Sequence, residues 1–346
     1  MIRRLLLIAV LSATGSPAAT VTDGILTGAG ATFPLPLYER WFDLFGQETG
    51  VRAIYQAVGS GEGVQRLMGK WVDFAATDAY LTNEQMRLAP AAVVHLPTCV
   101  GAVVITYNLP GQPELRLTPE ILAAVFLGQV TRWSDERLAA VCPGGSLPRQ
   151  KITVVHRSEG SGTTFIFTDY LAKVSPAWQA RVGRGTKVTW PAGIGVEGNP
   201  GVAQFVARIP GSIGYLELNF AVQQRLTAAL LQNRHGEYIK PSPVSVSAAA
   251  EVELPPDTRI LLTDTPVPGG YPISAFTYLV VYQEQAYDRR TRRHAAALAR
   301  FLQWVLTTGQ EHTTSLFYAP LPAQVRSQSL NLLSWLTYDG QPFLVP

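Results

Sequence analysis

An α/β fold with largely parallel sheets is what this sequence predicts, from three observations. A strand, a Gly/Ser/Thr-rich loop and a helix follow one another three times, the alternation that marks parallel β-α units. The 346 residues are enough for about two domains around a substantial core. Apolar residues make up 47% and charged residues only 15%, against roughly 25% charged in an average domain. That composition excludes a disordered chain, a coiled coil and a basic nucleic-acid coat. Lys and Arg number 28 against 25 Asp and Glu, a formal net charge of +3.

Residues 1–18 read as a secretory signal peptide. Arg3 and Arg4 form the basic start, Leu5 to Leu11 the apolar run, and Ser16-Pro17-Ala18 the small-residue cleavage site, with cleavage expected after Ala18 or Ala19. The apolar run falls well short of the ~20 residues that span a bilayer, and no Cys follows it, so a soluble exported protein is expected. Cleavage removes Arg3 and Arg4 but no acid and lowers the net charge to +1. Any attraction for an anion must therefore come from local features.

The first unit is the strand Gly24 to Thr27, the loop Gly28-Ala29-Gly30-Ala31-Thr32-Phe33-Pro34 and a helix near 36–49. Leu37, Trp41, Leu44 and Phe45 fall on one face of that helix, and a proline at its start suits the first turn. The second unit is the run Val51 to Val58, then Gly59-Ser60-Gly61-Glu62-Gly63, then a helix expected to carry Val64, Leu67, Met68 and Trp71 on one face. A short strand, Val72 to Thr77, ends at Asp78. The third unit is Ile152 to Val155, then His156-Arg157-Ser158-Glu159-Gly160-Ser161-Gly162-Thr163-Thr164, then a helix bearing Phe167, Tyr170, Leu171 and Val174.

In parallel sheets ligands sit beyond the carboxyl ends of the strands, where loops lead into helices. Glycines there let backbone N–H groups approach closely, and Ser or Thr adds a hydroxyl. The first turn of each helix has unpaired N–H groups and a positive dipole end, which favour an anion. Arg157 can add two parallel hydrogen bonds to a phosphate or carboxylate. A lone Gly-Ser-Gly before a helix is most often a cap and turn, a lone Asp at a strand end a cap, and a lone Arg a surface ion pair. The combination of all three is what points to a site.

Thr27-Gly28-Ala29-Gly30-Ala31-Thr32-Phe33-Pro34, Gly59-Ser60, Val72-Asp73-Phe74 with Asp78-Ala79, and Arg157 with Gly160-Ser161-Gly162-Thr163 resemble the periplasmic phosphate-binding proteins of bacterial high-affinity phosphate ABC transporters. The similarity continues in the same order through Phe167 to Val174, Trp190-Pro191, Phe205-Val206 and Pro210 to Tyr215. The resemblance implies a two-lobed type II periplasmic solute-binding fold with two chain crossovers at a hinge. One lobe would comprise residues 19–98 and 271–346, the other 99–270, with Pro97 to Val100 and Tyr271 to Ser274 as hinge segments. Each hinge leads into an apolar strand, Ala102 to Tyr107 or Phe276 to Tyr282, and Pro241 to Pro268 reads as an irregular excursion.

The same resemblance implies one inorganic phosphate held by Thr32, Phe33, Ser60, Asp78, Arg157, Ser161, Gly162 and Thr163. Thr32, Phe33 and Ser60 would donate from two helix starts, and Arg157, Ser161, Gly162 and Thr163 from the other lobe. Asp78 would be the acceptor that requires a proton on the ligand, since an ionised carboxylate can only accept. The implied partner is a membrane-embedded phosphate ABC permease, the location periplasmic and the state monomeric, with no catalytic residue, cofactor or nucleic acid. The chain departs from the family pattern twice: Glu159 stands where an Asp usually orients the arginine, and Glu62 adds an acid at the second helix start. Those two keep open an exported adhesive or structural protein that has lost tight phosphate binding. A binder of another tetrahedral oxyanion such as sulfate is also open.

Other chemistries find less support. Gly193-Ile194-Gly195-Val196-Glu197-Gly198 matches the dinucleotide pattern, with Glu217 about 20 residues on. Pro191 interrupts the run before it, and Asn199-Pro200-Gly201 falls where a helix should be under way. Lys70 is followed by Trp71, so there is no phosphate-binding P-loop, and no G-x-S-x-G elbow occurs. The histidines at 95, 156, 235, 294 and 312 and the two cysteines lack metal-ligand spacing. Cys99 and Cys142 are open to a disulfide or to two free thiols. The cluster Arg289-Arg290-Thr291-Arg292-Arg293 opposes the dipole of the helix after it and reads as a solvated turn.

Overall fold

The structure, a computed structural model, describes residues 24–144 and 147–342; the signal-peptide reading falls outside them. The first unit runs from β1 (Ile25–Gly30) to α1 (Leu35–Thr49). Gly28 and Gly30, expected in the loop, belong to the strand. Pro36 lies in the first turn of α1, where no N–H is required. Gly50 in the left-handed conformation closes the far end onto the Gly46 carbonyl. Leu37, Trp41 and Phe45 are fully buried, as their spacing predicts.

β2 (Arg52–Gln56) leads into α2 (Ser60–Met68). This helix lies directly on β1: a Cβ at Gly63 would fall 2.3 Å from Gly30 Cα, so only glycine fits there. Trp71 was expected on the buried face of α2, but it lies beyond the helix and is 66% exposed. The helix ends sooner because the chain turns at Gly69 and Lys70, which takes a positive φ. β3 (Phe74–Thr77), α3 (Asn83–Leu88) and β4 (Val93–Tyr107) follow.

Next come β5 (Arg116–Leu117), α4 (Pro119–Phe126) and α5 (Glu136–Val141). The third unit is β6 (Thr153–Arg157) and α6 (Gly162–Val174), which Ser161 caps through its Oγ on Thr164 N–H at 3.1 Å. Then come α7 (Pro176–Arg181), β7 (Ile194–Val196) and α8 (Gly198–Arg208). After β8 (Ser212–Glu217) and α9 (Leu218–Gln223) the chain forms the short strands β9 (Thr227–Ala228), β10 (Leu230–Gln232) and β11 (Tyr238–Ile239). Part of the stretch expected to be irregular is helical: α10 (Pro243–Ala249) starts at a Ser242/Ser245 capping box with Pro243 in its first turn. β12 (Ser274–Tyr282), α11 (Arg292–Leu306) and α12 (Ala323–Leu333) complete the framework.

Nine strands pair in the order β2-β1-β3-β12-β4-β8-β6-β7, with β9 also on β4. β1 is parallel to β2 and β3, and β6 is parallel to β7 and β8. The two central strands run against their neighbours, so the sheet is mixed where a largely parallel one was expected. β4 joins the halves: residues 93–102 pair with β12 and residues 103–107 with β8. Every residue of β4 is buried, as in a strand covered on both faces. Its register slips at Thr98, beside Pro97; a bulge is where a sheet tolerates a proline.

Cys99 on β4 and Cys142 after α5 are both buried and free, so no disulfide joins them. Arg290, expected on a solvated turn, is buried against Asp73. The other Asp73 oxygen accepts from Thr27 N–H at 2.6 Å, and the charge of Arg290 thereby ties the start of α11 to β1 and β3. Among the described residues no helix is long and apolar enough to cross a membrane.

Candidate functional site

All eight residues singled out from the sequence are buried, and six are joined by direct contacts. Arg157 ends β6, and the main chain then turns through Ser158 to Gly160 into α6. Its guanidinium donates Nη1 to Thr163 Oγ1 at 3.1 Å and Nη2 to Thr32 Oγ1 at 3.2 Å. Its backbone N–H donates to the Tyr215 hydroxyl at 3.1 Å. Glu159 grips the guanidinium through Oε1, 2.8 Å from Nε and in a short contact with Nη2. The same Oε1 accepts from Gly198 N–H at 3.2 Å. Glu159 therefore orients the arginine as an Asp would and also reaches the start of α8.

Ser60, the first residue of α2, accepts through Oγ from Gly162 N–H at 3.1 Å, and from Asp78 N–H at 3.4 Å. The approach is close enough to require glycine: a Cβ at residue 162 would meet Ser60 Oγ at 2.4 Å and Asp78 Oδ2 at 2.5 Å. One Asp78 oxygen accepts from the Thr277 hydroxyl on β12. The other, Oδ2, is buried with no hydrogen-bond partner among the described residues. Burial pushes the Asp78 carboxyl up to about 7, against the opposing pull of the Thr277 hydroxyl, Arg157 and Ser60.

Phe33 and Ser161 stand apart from this contact network. The Phe33 carbonyl accepts from the Tyr318 hydroxyl at 2.7 Å. Ser161 N–H donates to the Thr186 carbonyl at 2.9 Å while its Oγ caps α6, which leaves its hydroxyl proton as its remaining donor. Glu62 is neutralised locally: Arg66, one turn along α2, donates Nε to it at 2.9 Å.

Sequence reasoning missed Asn199, Thr277 and Tyr215. Asn199 lies in the first turn of α8, and its side-chain amide donates to Thr32 Oγ1 at 2.9 Å and to Thr163 Oγ1 at 3.3 Å. Three helix starts were expected to converge, and four do: α1, α2, α6 and α8. The signal was present in the glycine pattern from Gly193 to Gly198, which contains β7 and ends where α8 begins. Asn199-Pro200-Gly201 was read as a break, but Pro200 occupies the first turn, where its missing N–H has no partner to lose. Among the described residues no group of three or more His, Cys, Asp or Glu is placed to hold a metal ion.

The arrangement is rich in donors, with one buried guanidinium and several hydroxyls, and Asp78 supplies the acceptor with an unused oxygen. Comparison with known proteins gives the same direction. A profile described as a PBP superfamily domain matches residues 15–308. The chain is 38% identical over 330 residues to the phosphate-binding protein PstS of Pasteurella multocida, covering 94% of each. It is 38% identical over 307 residues to PstS of Haemophilus influenzae, covering 87% of this chain and 90% of that one. Among solved structures, a high-affinity periplasmic phosphate-binding protein (PfluDING) bound with phosphate superposes with a TM-score of 0.73. That alignment is at 21% identity and covers 92% of this chain and 96% of that one, so the likeness is one of fold: a two-lobed type II α/β architecture. By profile and by identity along almost its whole length, this chain belongs to the PBP superfamily and, within it, to the family of the phosphate-binding protein PstS.

Proposed function

We propose that this protein captures inorganic phosphate between two lobes and delivers it to an ABC importer. The observation that carries this reading is the buried cluster of donors in which Arg157, at the end of β6, joins Thr32, Thr163 and Ser60 at three helix starts, with an unpartnered Asp78 oxygen beside Ser60 and Gly162. Thr32 and Phe33 donate to the anion from the start of α1 and Ser60 from that of α2. Arg157, the Ser161 hydroxyl, Gly162 N–H and Thr163 donate from the opposite side. Asp78 accepts a hydrogen bond from a protonated ligand oxygen, which HPO₄²⁻ and H₂PO₄⁻ have and sulfate at neutral pH does not.

The lobes are residues 19–98 with 271–346, and 99–270. The change of partner along β4, from β12 to β8, supports a hinge near its middle, and closure about that hinge would bring Ser60 onto Gly162. The protein works after export, as a monomer, in the periplasm, where it meets a phosphate ABC permease. Calorimetry on phosphate-stripped protein tests the reading: phosphate should bind tightly and sulfate far more weakly. Absence of heat with phosphate would leave the exported structural protein as the better account, and equal binding of sulfate would make this a general oxyanion receptor.

A further inference from the structure

We infer that Asn199 is a positioning residue that fixes the hydroxyls of Thr32 and Thr163 as proton donors toward the anion. The inference rests on the phosphate reading above and concerns a residue whose side-chain amide is committed to Glu217, Thr32 and Thr163. A threonine hydroxyl has one proton and two lone pairs. Around Thr32 Oγ1 stand three obligate donors: Asn199 N–H at 3.2 Å, Asn199 Nδ2 at 2.9 Å and Arg157 Nη2 at 3.2 Å. Around Thr163 Oγ1 stand two, Arg157 Nη1 at 3.1 Å and Asn199 Nδ2 at 3.3 Å. Neither hydroxyl can donate to any of these groups, so with its lone pairs occupied each must give its proton to something else.

The direction of the Asn199 amide is itself set by the fold. Its Oδ1 accepts from the backbone N–H of Glu217 at 3.0 Å, and a backbone N–H can only donate. The oxygen is therefore fixed on Glu217 and both protons of Nδ2 are aimed at the threonines. Asn199 and Thr163 lie in the segment 99–270, and Thr32 in the segment 19–98. The same amide thus spans the two lobes and directs one hydroxyl from each. Its effect is to turn both hydroxyls into donors, so that an anion meets donors from each lobe while Asp78 keeps an unpartnered oxygen for a protonated one.

The test is a thermodynamic cycle on phosphate-stripped protein, read by calorimetric titration with inorganic phosphate. Asn199→Ala should weaken phosphate binding about tenfold in the otherwise native protein, the scale of one or two misdirected hydrogen bonds. In a Thr32→Val, Thr163→Val background the same substitution should change affinity by less than about twofold. A loss that persists undiminished in that background would assign Asn199 a merely structural role and overturn the inference. If Asn199→Ala does not fold, Asn199→Ser carries the same cycle: it should lose about tenfold in the native background and less than about twofold beside Thr32→Val and Thr163→Val, whereas an equal loss in both backgrounds would overturn the inference. Native protein that does not bind phosphate at all would remove the functional reading itself, an outcome distinct from either result.

Discussion

Asp78 sits with one oxygen on the Thr277 hydroxyl and the other buried without a partner among the described residues, and the selectivity proposed for it rests on what the second oxygen can do. An ionised carboxylate repels a ligand that has no proton to give, whereas an amide can donate as readily as accept. Asp78→Asn should therefore weaken phosphate binding and narrow the preference for phosphate over sulfate, measured by competition on stripped protein; an unchanged ratio would take Asp78 out of that role. Across from it, Gly162→Ala places a methyl where Ser60 Oγ and Asp78 Oδ2 already stand. Phosphate affinity should fall by about a hundredfold or more, read by calorimetric titration, because the methyl holds Ser60 and Asp78 away from the start of α6. Asp78 and Arg157 were singled out in the sequence only in combination, each closing an apolar strand in a chain whose Gly/Ser/Thr loops lead into helices, since either alone is most often a cap or a surface ion pair. Thr277 was not, because its place opposite Asp78 depends on an antiparallel pairing between β12 and β3 across about 200 residues, and no local pattern encodes such a pairing.

At the scale of elements, the helices that build the site were readable where their starts carry glycine and hydroxyl residues, and α8 was lost because Asn-Pro-Gly resembles a turn. The basic run before α11 misled in the opposite sense. Four arginines in five residues look solvated, yet Arg290 turns inward to Asp73, which also accepts from Thr27 N–H and lies 2.9 Å from His294 Nε2. Burial lowers Arg290 to about 9, so at neutral pH it remains a cation whose charge Asp73 must balance. Burying an ion pair adds little stability, but removing one partner strands the other. Asp73→Asn is thus expected to destabilise the protein by about 3–5 kcal/mol, read from urea unfolding. Arg290→Met together with Asp73→Asn should recover part of that loss. If the single substitution behaves like a surface change, within about 0.5 kcal/mol, the pair is not what ties α11 to the sheet.

Over the whole molecule, contacts that join the two sides of the site carry protons as well as geometry. Gly61 N–H donates to the Gly160 carbonyl at 3.0 Å, and Asn219 Nδ2 to the Leu316 carbonyl at 2.7 Å. Tyr318 Oη lies 2.7 Å from the Phe33 carbonyl and 3.1 Å from Glu217 Oε2. A phenol has one proton, so both contacts are hydrogen bonds only if Glu217 supplies a proton of its own. Burial holds the Glu217 carboxyl well above the ordinary range and raises Asp78 to about 7, so the folded state keeps protons that the unfolded chain gives up near pH 4. The sign is opposite to that of a salt-bridged acid: the stabilisation is complete below the unfolded values and is lost as pH rises through the folded ones. Stability of the phosphate-free protein should accordingly decline from about pH 4 to about pH 8, with Asp78 accounting for the part lost up to about 7. Asp78→Asn should flatten that part of the profile, and Glu217→Gln, which has no carboxyl to titrate, should flatten the portion that Glu217 sets. Urea unfolding of the three proteins across this range decides the matter, because a native profile that rises with pH would mean that neither buried carboxyl holds its proton in the folded state.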